Sequence, residues 1–291
     1  MSKKLWGSLT ITRQFKRIYI AQNTKSGSMF KRGLIIALTL TAWTYAASAQ
    51  DADAEITLDT SIIADNLEDT YARCLDAARM EPEVGMEMAL RWTRLSGNEP
   101  SEHCQAIALM VLGDTAEAAS RLEDLAGQST ATAPVRSGLY HQAARGWMDV
   151  ASYDRALENL DKSAALSFAN TAILLDRALV HAALQNYWSA VDDLNQALDI
   201  DPTAIDALVL RGSAYRKLKV SSLALDDIER ALAADSSNVD ALLELGLLAR
   251  GRDDKTAARL AWVKVLALAP ESSTADAVRR HIQNMDVAED P

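Results

Sequence analysis

The chain is poor in the residues that punctuate β-structure and staple small folds. Two cysteines, six prolines, twelve glycines and 5% aromatic residues are spread over 291 positions. Two cysteines exclude a disulfide-dense scaffold and a cysteine-only zinc site. The scarcity of glycine and proline argues against an all-β domain with many tight turns and for helices. No apolar run approaches the ~20 residues that cross a bilayer as a helix. Thirty basic against forty acidic residues give a net charge of -10, which argues against a basic nucleic-acid binder. A 49% apolar content is nevertheless enough for a substantial core.

Acidic residues are missing altogether from positions 1 to 49, which hold eight basic ones. The twelve-residue apolar run Leu34 to Tyr45 follows, then Ala47-Ser48-Ala49. This order is that of a cleavable export signal, with cleavage expected after Ala49 and a periplasmic location for the mature chain. Residues 29 to 49 alone form a compact signal, which makes Met29 a candidate start. An uncleaved anchor is the alternative, and a mature chain would have no integral span. Without the signal, 22 basic and 40 acidic residues remain, so the mature protein would carry -18. Residues 50 to 60 read as a flexible acidic N-terminus.

Export also bears on Cys74 and Cys104. In an oxidising compartment the pair reads as a structural disulfide, worth about 3 to 4 kcal/mol by loop closure. Two buried thiols are the alternative, and a zinc site using His103, Cys104 and Cys74 is a remote third reading.

The strongest positive signal is an internal repeat. Pro100, Pro134, Pro202 and Pro270 lie on a ladder of period 34, with Phe168 and Ser236 on the missing rungs. Blocks beginning at Ser137, Thr171, Ile205 and Val239 align on it. Their eighth position holds Ala144, Ala178, Gly212 and Gly246, and their twentieth Ala156, Ala190, Ala224 and Ala258. The twenty-fourth holds Leu160, Leu194, Ile228 and Trp262, and the twenty-seventh Ser163, Ala197, Ala231 and Val265. Apolar residues at helical spacing make each block two amphipathic helices. The small columns let those helices cross closely, and proline ends the second helix. A lone hairpin leaves an apolar face uncovered, so the blocks must stack.

These columns resemble the tetratricopeptide repeat family. Gly212, Tyr215, Ala224, Ile228 and Ala231 carry its pattern in one block, and Ala178, Tyr187, Ala190, Leu194, Ala197 and Pro202 in another. The resemblance implies an all-α, right-handed α-solenoid of about six stacked hairpins with a C-terminal capping helix. Residues 137–272 supply four regular repeats. Residues 61–136 read as two divergent repeats, the second with its hairpin turn about four residues early. Residues 273–291 read as a cap and tail, with the helix over Ser273 to Val287. Cys74 and Cys104 would then sit on first helices of neighbouring repeats.

No nucleotide-binding, nucleophile-elbow, zinc-protease or calcium-loop motif is present, and no catalytic residue, metal or cofactor is indicated. The pairs Asp192-Asp193 and Asp226-Asp227, 34 apart, read as solvated faces of second helices rather than an ion site. The family's concave surface, lined by first-helix positions, implies a partner-binding groove. The matching positions hold Arg145, Asp176, Leu179, Val209, Ser213, Arg216, Lys217, Leu243 and Arg250. They lack the Lys and Asn set of chaperone-tail clamps. Arg216, Lys217 and Arg250 would suit an acidic segment, or would simply favour their helix ends. The expected function is a non-enzymatic scaffold or adaptor in envelope assembly or maintenance. Its partner would be another protein, engaged through a peptide or helix of basic or mixed character, with no nucleic acid. A chaperone-like holder of exported clients and a regulatory subunit of an envelope enzyme are the alternatives.

Overall fold

A computed structural model describes residues 67–167 and 170–287. The export signal with its cleavage site and Met29, the acidic segment 50–60, Phe168 and the tail 288–291 lie outside these residues. Among the described residues there are thirteen α-helices and no strand. Six hairpins follow one another: α1 Leu67–Met80 with α2 Pro82–Ser96, α3 Glu99–Leu112 with α4 Thr115–Gln128, and α5 Ala133–Asp149 with α6 Tyr153–Leu166. They continue as α7 Thr171–Ala183 with α8 Tyr187–Ile200, α9 Ile205–Lys217 with α10 Ser221–Ala234, and α11 Val239–Gly251 with α12 Lys255–Leu268. The single helix α13, Ser273–Val287, packs on α11 and α12. Successive helices are in contact along the whole series, which is the pattern of an all-α solenoid.

The repeat columns are the inner seams of the hairpins. Ala156, Ala190, Ala224 and Ala258 are buried, as are Ala144, Ala178, Gly212 and Gly246 opposite them. The contact across the seam is tightest where the eighth residue is glycine. Where the eighth residue is alanine, the twenty-fourth is Leu160 or Leu194. Where it is glycine, the twenty-fourth is Ile228 or Trp262. A Cβ on Gly212 would lie 2.9 Å from Ile228 Cδ1, and one on Gly246 would run into the Trp262 indole. That indole is fully buried and donates its N–H to the Leu243 carbonyl at 3.3 Å.

The four regular hairpins turn identically without glycine. Ala151, Gln185, Lys219 and Asp253, 34 residues apart, have φ between 57° and 63°. The next residue's N–H reaches back five positions, as in Ser152 to Trp147 O at 2.8 Å and Asn186 to His181 O at 2.8 Å. Val220 to Tyr215 O and Asp254 to Ala249 O repeat the bond at 2.9 and 3.0 Å. This is a Schellman closure whose hydrogen bonds offset the ~1–2 kcal/mol cost of a left-handed L-residue. In the divergent hairpin the left-handed residue is Gly113, φ 99°, four residues ahead of the ladder.

Between hairpins, Asp201 accepts from the backbone N–H and hydroxyl of Thr203, and Asp235 does the same with Ser237. Those bonds hold both carboxyls below their ordinary values. The prolines play two roles rather than the single one expected. Pro202 and Pro270 follow second helices, as expected, whereas Pro100 and Pro134 open α3 and α5 from the first turn. Proline is tolerated there because a first-turn N–H has no helical acceptor.

Cys74 on α1 and Cys104 on α3 form a disulfide with Cα atoms 6.1 Å apart. It joins the first helices of the two divergent hairpins, beside Ala78, Ala89 and Trp92. Replacing both cysteines by alanine should lower unfolding stability by about 3 kcal/mol. A urea midpoint that is unchanged in the double variant would contradict a stabilising cross-link.

Candidate functional site

The first helices α5, α7, α9, α11 and α13 contact one another in order and form one face. Three apolar side chains expected to line it face inward instead. Leu179, Val209 and Leu243 are 3%, 4% and 2% exposed and fill the space between helices. The polar ones are largely engaged with each other. His141 Nε2 lies 2.7 Å from Asp176 Oδ2, and Arg145 Nε lies 3.9 Å from the same oxygen. Arg216 gives Glu244 two hydrogen bonds, of 2.6 and 3.1 Å, and the Ser213 hydroxyl donates a third at 3.0 Å. Glu244 is wholly buried. Lys217 remains exposed and Arg250 half-exposed.

These contacts follow a rule. The sixth position of each regular block, Gln142, Asp176, Leu210 or Glu244, is reached from the preceding first helix wherever it is polar. His103 bonds Gln142 at 2.8 Å and His141 bonds Asp176, while Ser213 and Arg216 bond Glu244. At the start of the ladder, the Tyr71 hydroxyl meets His103 Nδ1 at 2.5 Å. With Nε2–H donating to the Gln142 carbonyl oxygen, Nδ1 accepts from Tyr71, and the imidazole is satisfied in its neutral form. Burial favours that form and pushes the His103 pKa down. At the far end Thr274 of α13 donates to Asp240 of α11 at 3.2 Å.

A second ladder ties the two helix layers together and corrects the reading of the aspartate pairs. Asp192 and Asp226 are solvated, but Asp193 and Asp227 are 3% and 1% exposed. Each takes a two-pronged guanidinium from sixteen residues upstream. Arg177 reaches Asp193 at 2.6 to 3.2 Å, and Arg211 reaches Asp227 at 2.6 and 2.8 Å. The remaining nitrogen extends to the preceding second helix, from Arg177 to Asp161 at 3.1 Å and from Arg211 to Asn195 at 2.7 Å. Each arginine therefore fastens its own hairpin and the one before it. The aspartate belongs inside because it sits one residue before the buried twenty-fourth position, on the side facing the first helix. The spacing was present in the sequence as arginine at the seventh position with aspartate at the twenty-third. In the two flanking blocks both members change together, to Ala143 with Asn159 and to Leu245 with Ala261.

Among the described residues no group of three or more His, Cys, Asp or Glu side chains is placed to hold a metal ion. No described helix is long and apolar enough to cross a membrane.

The flanking block supplies its own control for the ion pair. Asp227→Ala alone leaves the part-buried Arg211 guanidinium with Asn195 but without its buried counter-charge and should cost about 3 kcal/mol. Adding Arg211→Leu recreates the Leu245–Ala261 combination and should restore most of that loss. Chemical denaturation of the two variants checks this. A double variant no more stable than the single one would contradict it.

The chain matches no family model and no curated protein. Solved structures do resemble it. The C-terminal part of a TPR repeat-containing protein from Cytophaga hutchinsonii matches with TM-score 0.57 and 13% identity, over 75% of this chain and 89% of that one. Pseudomonas aeruginosa pilF matches at 0.56 and 11% identity, over 73% and 98%. YrrB, a TPR protein with an unusual peptide-binding site, matches at 0.51 and 14% identity, over 66% and 97%. With the period of 34, the small-residue seams and the stacked hairpins, these likenesses establish that the chain has the tetratricopeptide-repeat fold.

Proposed function

We propose that the protein is a non-enzymatic interaction scaffold whose first-helix face binds a peptide or helix of a partner protein. Its place of work would be the periplasm, in envelope assembly or maintenance. The observation that carries the reading is the construction of that face. Polar contacts tie α3 to α5, α5 to α7 and α9 to α11 through His103, Asp176 and Glu244, which gives a preorganised surface. Lys217 and Arg250 stand on that surface with their charges accessible. The likeness to YrrB, a protein with a peptide-binding site, supports the same use of the fold. The export-type N-terminus supports the compartment. The acidity of the chain favours a partner of mixed character whose basic parts are steered by the overall field.

A photo-crosslinking residue at Arg145 on the first-helix face, compared with one at Trp188 or Leu260 on second helices, tests the reading. In intact envelopes the Arg145 position should yield one stoichiometric protein adduct that the other two positions do not. Adducts only from Trp188 or Leu260 would move the site to the opposite layer and overturn the proposal. A spread of many substoichiometric adducts would favour a holder of clients.

A further inference from the structure

The outward face of α12 breaks a pattern that the three preceding second helices keep. The twenty-second repeat position holds Glu158, Asp192 and Asp226, all exposed, and then Leu260. The twenty-fifth holds Asp161, Asn195 and Glu229, and then Val263. Leu260 is 64% exposed and Val263 50%, so the change of chemistry is not a move into the core. The end of the stack does not account for Leu260, because the twenty-second position is exposed in the inner repeats as well. Thr256, Leu260, Val263 and Ala267 recur at helical spacing and are all exposed, which puts the two aliphatics in one stripe. The border of that stripe is basic. α12 carries Lys255, Arg259 and Lys264 and no acidic residue, whereas α6, α8 and α10 are each net acidic. Arg259 meets Asp286 of α13, and Lys264 is exposed. Single exposed aliphatics are ordinary on a protein surface, but a stripe that replaces acids in register calls for a cover.

The chain itself contains a segment of complementary make-up. Residues 51–66 lie outside the described residues and lead into α1; they hold five acidic residues and no basic one, together with Ile56, Leu58, Ile62 and Ile63. We propose that the outward face of α12 is the docking site for residues 51–66 of a second copy of the chain. The aliphatics of the segment would cover Leu260 and Val263, and its carboxylates would lie against the basic border at Lys264. Reach favours a second copy over the same molecule. Along the stack α1 stands roughly 50 Å from the last hairpin, at about 10 Å for each step between first helices. Sixteen residues span at most about 55 Å when fully extended, which leaves none to lie along α12. Charge disfavours the symmetric alternative, because two α12 faces brought together would oppose their basic borders. A head-to-tail contact of this kind repeats from copy to copy and builds open chains or rings. It leaves the first-helix face free for a partner.

The test uses protein recovered from cells that express the full sequence, with a photo-crosslinking residue in place of the exposed Thr256. After isotope-labelled and unlabelled molecules are mixed, crosslinked peptides should join position 256 to residues 51–66 and include labelled-to-unlabelled pairs. Sedimentation velocity of the parent protein should show association that grows with concentration. Leu260→Asp with Val263→Asn recreates the Asp192 and Asn195 combination of α8, and should raise the dissociation constant about tenfold or more at an unchanged melting temperature. If that variant does not fold, Ile56→Ser with Leu58→Ser, ahead of α1, should weaken association to a similar extent. A parent protein that stays monomeric at every concentration would overturn the proposal. So would adducts of position 256 confined to one molecule or to a different protein, or binding of phosphatidylglycerol vesicles through Leu260 and Val263 with no adduct to residues 51–66. The adduct at α12 is with this chain and the one expected at Arg145 is with a partner, so either can fail without the other.

Discussion

Everything in this molecule depends on how closely two helices cross within each hairpin. The eighth and twentieth residues are small in every regular repeat, and where the eighth is glycine an added Cβ would meet the twenty-fourth side chain. Ala144 and Ala178 face Leu160 and Leu194, whereas Gly212 and Gly246 make room for Ile228 and Trp262. The crossing sets the angle at which a hairpin presents its remaining apolar face. That face is covered only by the next hairpin, and finally by α13. A core built this way has no centre, so stability passes from neighbour to neighbour. At the divergent end the Cys74–Cys104 bond supplies a covalent link between adjacent first helices.

Polar groups then fix the stack where burial alone would tolerate slippage. Arg177 and Arg211 each join three helices, and their aspartates are almost completely desolvated. Buried pairs of this kind add little net stability over an apolar pair of the same shape, but they penalise any register in which one partner is left alone. The replacement by Leu245 and Ala261 in the last block is consistent with that accounting. The ladder on the first-helix face acts similarly between hairpins. Its consequence for function is that much of the polar inventory there is already committed to structure. On that face Lys217 stays exposed and Arg250 half-exposed.

The period, the hairpins and even the limits of α13 are legible in the sequence, because close packing leaves small residues in register and little else satisfies that requirement. Three features are less legible, each for a physical reason. The left-handed turn residues Ala151, Gln185, Lys219 and Asp253 carry no glycine signature, since back-bonds from the following N–H offset the strain. The burial of Asp193 and Asp227 is hidden by their solvated neighbours Asp192 and Asp226. It shows only when the arginine sixteen residues upstream is considered with them. The face positions implied by the family resemblance include Leu179, Val209 and Leu243, which this chain uses as core. A position on a helix fixes direction only to within a residue or so, and side-chain size decides which of two neighbours goes inside. Arg216, a natural candidate for ligand contact, is drawn to Glu244 by a buried carboxylate that repeat periodicity alone does not reveal.

The close crossing is the central claim, and Gly246→Ala addresses it with one methyl group. The added Cβ would meet the indole of Trp262, which is enclosed on all sides. Native-state hydrogen exchange on this variant should show protection falling in α11, α12 and α13 while α1 to α6 keep theirs, because the repeats couple mainly to their neighbours. Unchanged protection throughout α11 to α13 would contradict the claim that the small-residue seam holds the solenoid together.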